Sequence, residues 1–282
     1  LQVGPQRTSE SQYWKAQQRI RDGRVGKVTW AQGSYNRNVE GGAFNKWFLI
    51  DEMAGPHQTG EDYIDWNMWL GPAPWAPYTE KRCHFLFRYI LDYSGGEMTD
   101  RGAHILDLAQ LALDTDDSGP VELAGSGWRP EDGLFNTFMR YEFSMTYANG
   151  VRLVGSEASP RGIRFEGSDG WVFIHIHGGR LEAKPTSLLK ERFGSDDIHL
   201  GRSPGHHQDF LNAVRTRGTP MATPEIGHRT ATLCHLLNIA MLTGTPLKWD
   251  PVAERVTNSE EANRLLSRPA RATRGGPCFQ EP

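Results

Sequence analysis

Asn136-Thr-Phe-Met-Arg-Tyr-Glu-Phe-Ser-Met-Thr-Tyr147 alternates apolar and polar residues over most of its length, the period of a strand with one face in a core. Asn149-Gly150 is a tight-turn pair, and Val151-Arg-Leu-Val-Gly155 follows it with the same period. Outward from there the pattern repeats in Val121-Glu-Leu-Ala-Gly125 before it. After it come Gly162-Ile-Arg-Phe-Glu-Gly167 and Gly170-Trp-Val-Phe-Ile-His-Ile-His177, broken by Ser168-Asp-Gly170 and closed by Gly178-Gly179. Five such strands predict an α+β fold: a large, open, mostly antiparallel sheet with helices packed on one face. Tyr141, Phe143 and Met145 are expected on the other face, where a partner subunit could meet them.

The helices for the covered face lie on both sides of these strands. Gln12 to Asp22 reads as a helix with Trp14, Ala16 and Ile20 packing inward and Gly23 as its stop. Val25 to Tyr35 alternates as a further strand. Gly205 to Arg215 is expected to turn Phe210, Leu211 and Val214 inward, and Pro224 to Leu242 is the longest helix, ended by Gly244. A last helix is expected from Ser259 to Leu266, and a short charged one at 186–192. Leu1 to Gly4 reads as the end of a strand, and residues 36–60 as a long loop around Trp47-Phe-Leu-Ile50. Asp65 to Tyr78 mixes prolines and glycines with aromatics, which predicts a stiff, irregular, aromatic-lined wall. His84 to Leu91 is a short element, read here as extended.

Between that element and the sheet stands Asp92-Tyr-Ser-Gly-Gly-Glu-Met-Thr-Asp-Arg-Gly-Ala-His-Ile-Leu-Asp107, a glycine-bearing turn running into a helix. Ser94 with Glu97 has the spacing of a capping box, and Thr99 is a second candidate cap. Asp100 and His104 stand four apart, so both project from one helix face, with Asp107 on roughly the same side. A carboxylate within reach of an imidazole fixes its tautomer and raises its basicity, which suits proton transfer near neutral pH. Local capping and pairing would use the same residues.

Composition narrows the function classes. A net charge of -3 with no basic stripe gives no footprint for nucleic acid. No run approaches the length of a membrane span. Three widely spaced cysteines, Cys83, Cys234 and Cys278, suggest neither a disulfide framework nor a zinc site. A reducing compartment fits them, so the cytoplasm is favoured, with export to a bacterial periplasm as the alternative. His175 and His177 share a strand face but lack further ligands nearby, so no metal is expected. His206 and His207 open a helix, where one of them could face an oxygen-rich ligand. The glycine pattern Gly125-Ser-Gly127 lacks its third glycine and a following helix, so no dinucleotide fingerprint is present.

Val3-Gly-Pro-Gln-Arg-Thr8, Tyr13-Trp-Lys-Ala16, the Trp66 to Pro77 loop, the Asp92 to Asp107 motif, Gly205-His-His-Gln-Asp-Phe210, Ile226-Gly-His-Arg-Thr-Ala-Thr232 and Glu261-Ala-Asn-Arg-Leu-Leu266 together resemble the Gfo/Idh/MocA group of sugar and cyclitol oxidoreductases, in the branch common among planctomycete-like bacteria. The resemblance implies an N-terminal Rossmann domain followed by a sheet domain that carries substrate and mediates homo-oligomerisation through its open face. It implies that residues 1–26 are the remnant of the dinucleotide-binding domain and 27–282 the substrate domain. It casts His104 as the acid/base beside the reacting sugar carbon and Asp100 as its partner, with Arg88, Tyr93, His206 and Trp69 as substrate-pocket positions. NAD or NADP is the implied cofactor. The family's cofactor loop and Glu-Lys-Pro lysine have no counterpart here, so this chain alone is not expected to hold the dinucleotide in the usual way. It reads as a fragment or a naturally shortened relative. Two other readings use the same pocket: a cofactor-free lyase, epimerase or glycosidase-like enzyme, and a non-catalytic carbohydrate-binding or assembly module.

Overall fold

The computed structural model describes residues 1–34, 64–156, 160–175 and 180–271. The expected loop at 36–60 and His177 lie outside these residues. Nine strands form one sheet in the order β7-β6-β5-β1-β4-β3-β2-β8-β9. They are β1 (Val28–Ser34), β2 (Glu122–Trp128), β3 (Arg140–Thr146), β4 (Arg152–Gly155), β5 (Gly162–Gly167), β6 (Trp171–His175), β7 (Leu181–Lys184), β8 (Leu247–Asp250) and β9 (Arg255–Val256). Every pairing is antiparallel except β1 with β4. The helices are α1 (Ser11–Arg21), α2 (Trp66–Leu70), α3 (Arg101–Leu113), α4 (His206–Thr216), α5 (Pro224–Thr243) and α6 (Glu260–Arg264).

The register decides which face is the core. Met145 stands opposite Leu123 on one side and Leu153 on the other, and Leu153 continues through Ala31 to Phe165 and Val172. These six residues are almost wholly shielded from solvent. Each fully buried side chain of Val, Leu, Phe or Met size contributes about 1.5–3 kcal/mol. Helix α5 lies over β2, α3 over β1 and α1 over β6, with α3 touching both other helices. The five strands expected between residues 121 and 177 are therefore present, and so is the single helix-covered face.

Which face is covered differs from the expectation. Tyr141, Phe143 and Met145 are buried under the helices, not offered to a partner. Alternation separates two faces but does not say which one meets the helices. Here the apolar set lines up across six strands, so it takes the helix side. The open side carries Arg140, Glu142, Arg152 and Lys184, with the smaller Ala124, Ser144 and Val154 aligned at its centre.

Five local expectations are also corrected. Leu1 to Gly4 pairs with no strand among the described residues, although the Val3 amide donates to the Ala222 carbonyl at 3.0 Å. The aromatic wall contains a regular turn after all. The Asp65 side chain accepts from the Met68 amide and caps α2, and Gly71 at positive φ ends it. His84 to Leu91 is not extended: Leu86–Tyr89 is a 3-10 turn, and the adjacent Tyr89 and Ile90 are both buried, which an alternating strand cannot achieve. The charged segment forms only a 3-10 turn, Thr186–Leu189, after the unexpected strand β7. Phe210, Leu211 and Val214 are 45%, 43% and 52% exposed, because α4 buries no residue.

Candidate functional site

The turn before α3 is built from its glycines outward. Gly96 has φ +70, and a Cβ there would press on the Thr137 side chain. Gly95 donates its amide to the Thr99 hydroxyl at 3.1 Å, and its carbonyl accepts from the Asn238 amide of α5 at 3.0 Å. Residues Gly96–Met98 form a 3-10 turn that delivers Asp100 as the N-cap of α3. Glu97 is not a surface capping-box member. It is fully buried, accepts from the Tyr89 hydroxyl at 3.2 Å, and lies 3.5 Å from Arg101. Burial, then the adjacent Glu97 charge, raises the pKa of Tyr89, so this phenol remains a donor.

Asp100 therefore sits where the helix begins, and half-buried His104 follows one turn later on the same face. Among the described residues Asp100 pairs with Arg88 at 3.8 Å and has no hydrogen bond to His104. Both partners are about one-third exposed (30% and 32%), so screening leaves this pair a modest energetic role and a stronger orienting one. Arg88 is pinned from below: it stacks over Phe85 and Phe87 and donates to the Phe85 carbonyl at 3.0 Å. The structure thus brings Arg88 to Asp100, two residues that the resemblance assigned separately.

The other site candidates fall elsewhere. His206, at the start of α4, is held by Gln2, whose amide nitrogen lies 2.9 Å from its Nδ1. Asp107, less than a turn beyond His104, is buried in the core, where it accepts from the Thr230 hydroxyl of α5 at 3.2 Å. Burial foremost, then the charge of Asp116, pushes the Asp107 carboxyl up to about 8. His175 contacts Glu182 at 2.8 Å, and this hydrogen bond holds the Glu182 carboxyl below its usual range. Among the described residues no three metal-capable side chains cluster.

Trp69 and Tyr93 do meet, edge to face with centroids 5.3 Å apart, and Trp69 also stacks on Trp66 at 4.8 Å. They line a cavity of about 1270 Å³ between the aromatic segment, the outer face of α5 and the chain after α6. Asp100, His104, Arg88 and His206 do not line it. The sequence-assigned residues thus divide into a polar group at the start of α3 and an aromatic wall on a separate cavity. Sequence reasoning missed the rest of that wall. His228, His235 and Asn238 recur at helical spacing on α5, a legible signal. Arg268 and Arg271 reach back across the fold, and no local pattern announces that.

Gly125 and Gly127 lie in the middle of β2, against Met241 and the Arg140 carbonyl, and form no phosphate-binding turn. No helix among the described residues is long and apolar enough to cross a membrane.

A family model described as "Oxidoreductase family, C-terminal alpha/beta domain" matches residues 38–275. No curated protein matches the sequence. Among solved structures, the aldose-aldose oxidoreductase of Caulobacter crescentus, complexed with glycerol, is 15% identical with a TM-score of 0.56, covering 88% of this chain and 63% of its own. The WlbA dehydrogenase of Bordetella pertussis, in complex with NADH and UDP-GlcNAcA, is 12% identical with a TM-score of 0.55, covering 89% and 63%. An NAD-binding protein from Listeria innocua is 14% identical with a TM-score of 0.52, covering 88% and 63%. At these identities the likeness is one of fold, and the chain spans less than two thirds of each neighbour's length.

Proposed function

Because the chain belongs to the oxidoreductase family defined by that C-terminal alpha/beta domain, the Gfo/Idh/MocA group, we propose that it is the substrate half of an NAD(P)-dependent oxidoreductase acting on a sugar, cyclitol or related carbohydrate. Residues 1–26 are then the tail of the dinucleotide-binding part and 27–282 the substrate domain. The observation that carries the proposal is the arrangement at the start of α3: Asp100 at the helix cap, Arg88 3.8 Å from it, and His104 one turn on.

The described residues of this chain do not fit the dinucleotide itself. The closely spaced pair Gly125 and Gly127 is locked into the sheet, where side chains and a carbonyl occupy the space a pyrophosphate would need. No step is therefore derived through the cofactor. What this chain supplies is proton handling. The imidazole of His104 accepts the proton of a substrate hydroxyl as the carbinol is oxidised, and returns it in the reverse direction. Asp100 caps the helix one turn before His104, and Arg88 keeps that carboxylate from swinging away. His206, steadied by Gln2, is a further substrate-side position. Trp69 and Tyr93 bind ligand at the aromatic cavity and not at the reacting carbon. The open sheet face is the surface through which two copies associate.

The test is NAD(P)H formation by this domain together with its dinucleotide-binding part, over a panel of aldoses, uronic acids and inositols. Oxidation of a panel member with stoichiometric cofactor reduction is expected. Turnover that needs no nicotinamide would replace this reading with a lyase or epimerase. Saturable binding without conversion would replace it with a carbohydrate-binding module.

A further inference from the structure

The outer face of α5 presents His228, Thr232, His235, Asn238 and Leu242 at three- and four-residue spacing, and all five line the aromatic cavity. The chain after α6 passes over the same space. It is fastened there by Arg268, which donates to the Asp92 carbonyl at 3.0 Å, and by Arg271. The Arg271 side chain donates to the Ala73 and Gly71 carbonyls and to the Asn67 side chain, and its amide donates to the Pro72 carbonyl. A C-terminal strap thus holds the aromatic segment against α5 with the cavity between them.

Four features of this cavity call for a ligand. The first is apolar surface left in contact with solvent: Leu242, Leu265 and Leu266 are 39%, 42% and 40% exposed, and all three face the cavity. The second is shape. Trp69 and Tyr93 make a rigid right-angled aromatic corner, the kind of surface against which a ring lies flat.

The third is charge. Neither Arg264 nor Arg268 has a carboxylate partner among the described residues. Glu254 is taken by His228 at 2.6 Å and Arg229 at 3.3 Å, which leaves Asp92 as the one unpaired acid among the described residues that line the cavity. The fourth is an orphan acceptor. Asn238 is only 5% exposed and its amide nitrogen is committed to the Gly95 carbonyl, while its Oδ1 has no partner in the structure. His235 adds a neutral imidazole to the floor: partial burial first, then the Arg268 charge, holds its pKa below the usual range.

We propose that this cavity is a binding site, apart from the Asp100–His104 pair, for a ring compound bearing a carboxylate or phosphate. The ring lies in the Trp69–Tyr93 corner and the anion meets Arg264 and Arg268. Donors on the ligand, hydroxyl groups above all, meet Asn238 and His235. The site does not rest on the oxidoreductase reading and stands or falls separately.

Calorimetric titration of the 282-residue protein with glucuronate, glucose 6-phosphate, glucose and inorganic phosphate tests it. At least one of the two sugar anions is expected to bind at least tenfold tighter than glucose, about 1.4 kcal/mol of preference. Saturation by glucuronate alone would identify the anion as a carboxylate, by glucose 6-phosphate alone as a phosphate. Arg264→Gln, at an exposed position, should remove the preference and leave glucose binding as it was, while Arg268→Gln, which also unfastens the strap, should remove the preference. Trp69→Ala should weaken the sugar anion but not inorganic phosphate. In His104→Ala the arginine-dependent preference for the sugar anion should persist. Equal binding of glucose and both anions, no saturation by either anion, indifference to both arginine substitutions, or loss of anion binding in His104→Ala would overturn the proposal.

Discussion

Asp107 shows how much one buried carboxyl can govern. It is 1% exposed, one of its oxygens is met by Thr230, and its pKa is lifted to about 8. A folded-state pKa above the unfolded value means that the fold binds more protons than the unfolded chain between roughly pH 4 and pH 8. Stability from this group is thus full below about pH 4 and is lost as pH rises through 8. Asp116, raised to about 6 mainly by burial, acts in the same direction over a lower range. Asp107→Asn keeps the shape and the acceptor for Thr230 but cannot ionise. Thermal melts should show it more stable than wild type at pH 8.5, on the order of 1–3 kcal/mol, and no better at pH 5. An equal shift at both pH values would show that ionisation is not the cause. Glu97 is a second buried acid, engaged by Tyr89 and Arg101. Glu97→Ala leaves Arg101 without its anion and should cost about 3 kcal/mol in urea unfolding. A loss below about 0.5 kcal/mol would contradict that role.

At the scale of elements, the sheet is held to its register by close approaches that only glycine allows. Gly167 in β5 passes so near the Val25 carbonyl that a Cβ would collide with backbone, not with a side chain able to rotate away. Gly167→Ala should therefore lower stability by about 1–3 kcal/mol, read from its melting temperature. Gly4→Ala, with nothing near its Cβ, serves as the control. The same elements show what a sequence can and cannot display. Alternation at Tyr141, Phe143 and Met145 marks a strand because side chains on a pleated chain must alternate, whatever packs on them. It does not mark the covered face, which depends on Leu123, Leu153 and Phe165 arriving in register from distant segments. Strands β8 and β9 were unread because four- and two-residue strands carry too little periodicity. At the site, the Asp100–His104 spacing was visible, since a helix fixes residues four apart. The Arg88–Asp100 contact was not, because it needs Leu86–Tyr89 to be a 3-10 turn where an apolar run suggests a strand.

For the whole molecule, a nine-stranded sheet covered on one side leaves a broad second side open. Its centre is small and flat, with Ala124, Ser144 and Val154 in register, and its margin is mixed in charge through Glu122, Arg140, Glu142 and Arg152. In the proposed association of two copies through this face, a two-fold axis at its centre buries Ala124, Ser144 and Val154. Light scattering should give twice the 31.7 kDa chain mass or more, and Val154→Arg should return it to the monomer value. A wild-type monomer at tens of micromolar would exclude this face as the interface.

The residues proposed to handle the proton stand at one helix start and the aromatic cavity elsewhere, so the proposed chemistry at the first place can be isolated. The most direct measurement is steady-state turnover of His104→Ala beside wild type, in this chain joined to the dinucleotide-binding part proposed for it. A fall in kcat of about 10²- to 10⁴-fold with an unchanged circular dichroism spectrum is expected. A kcat within twofold of wild type would contradict it.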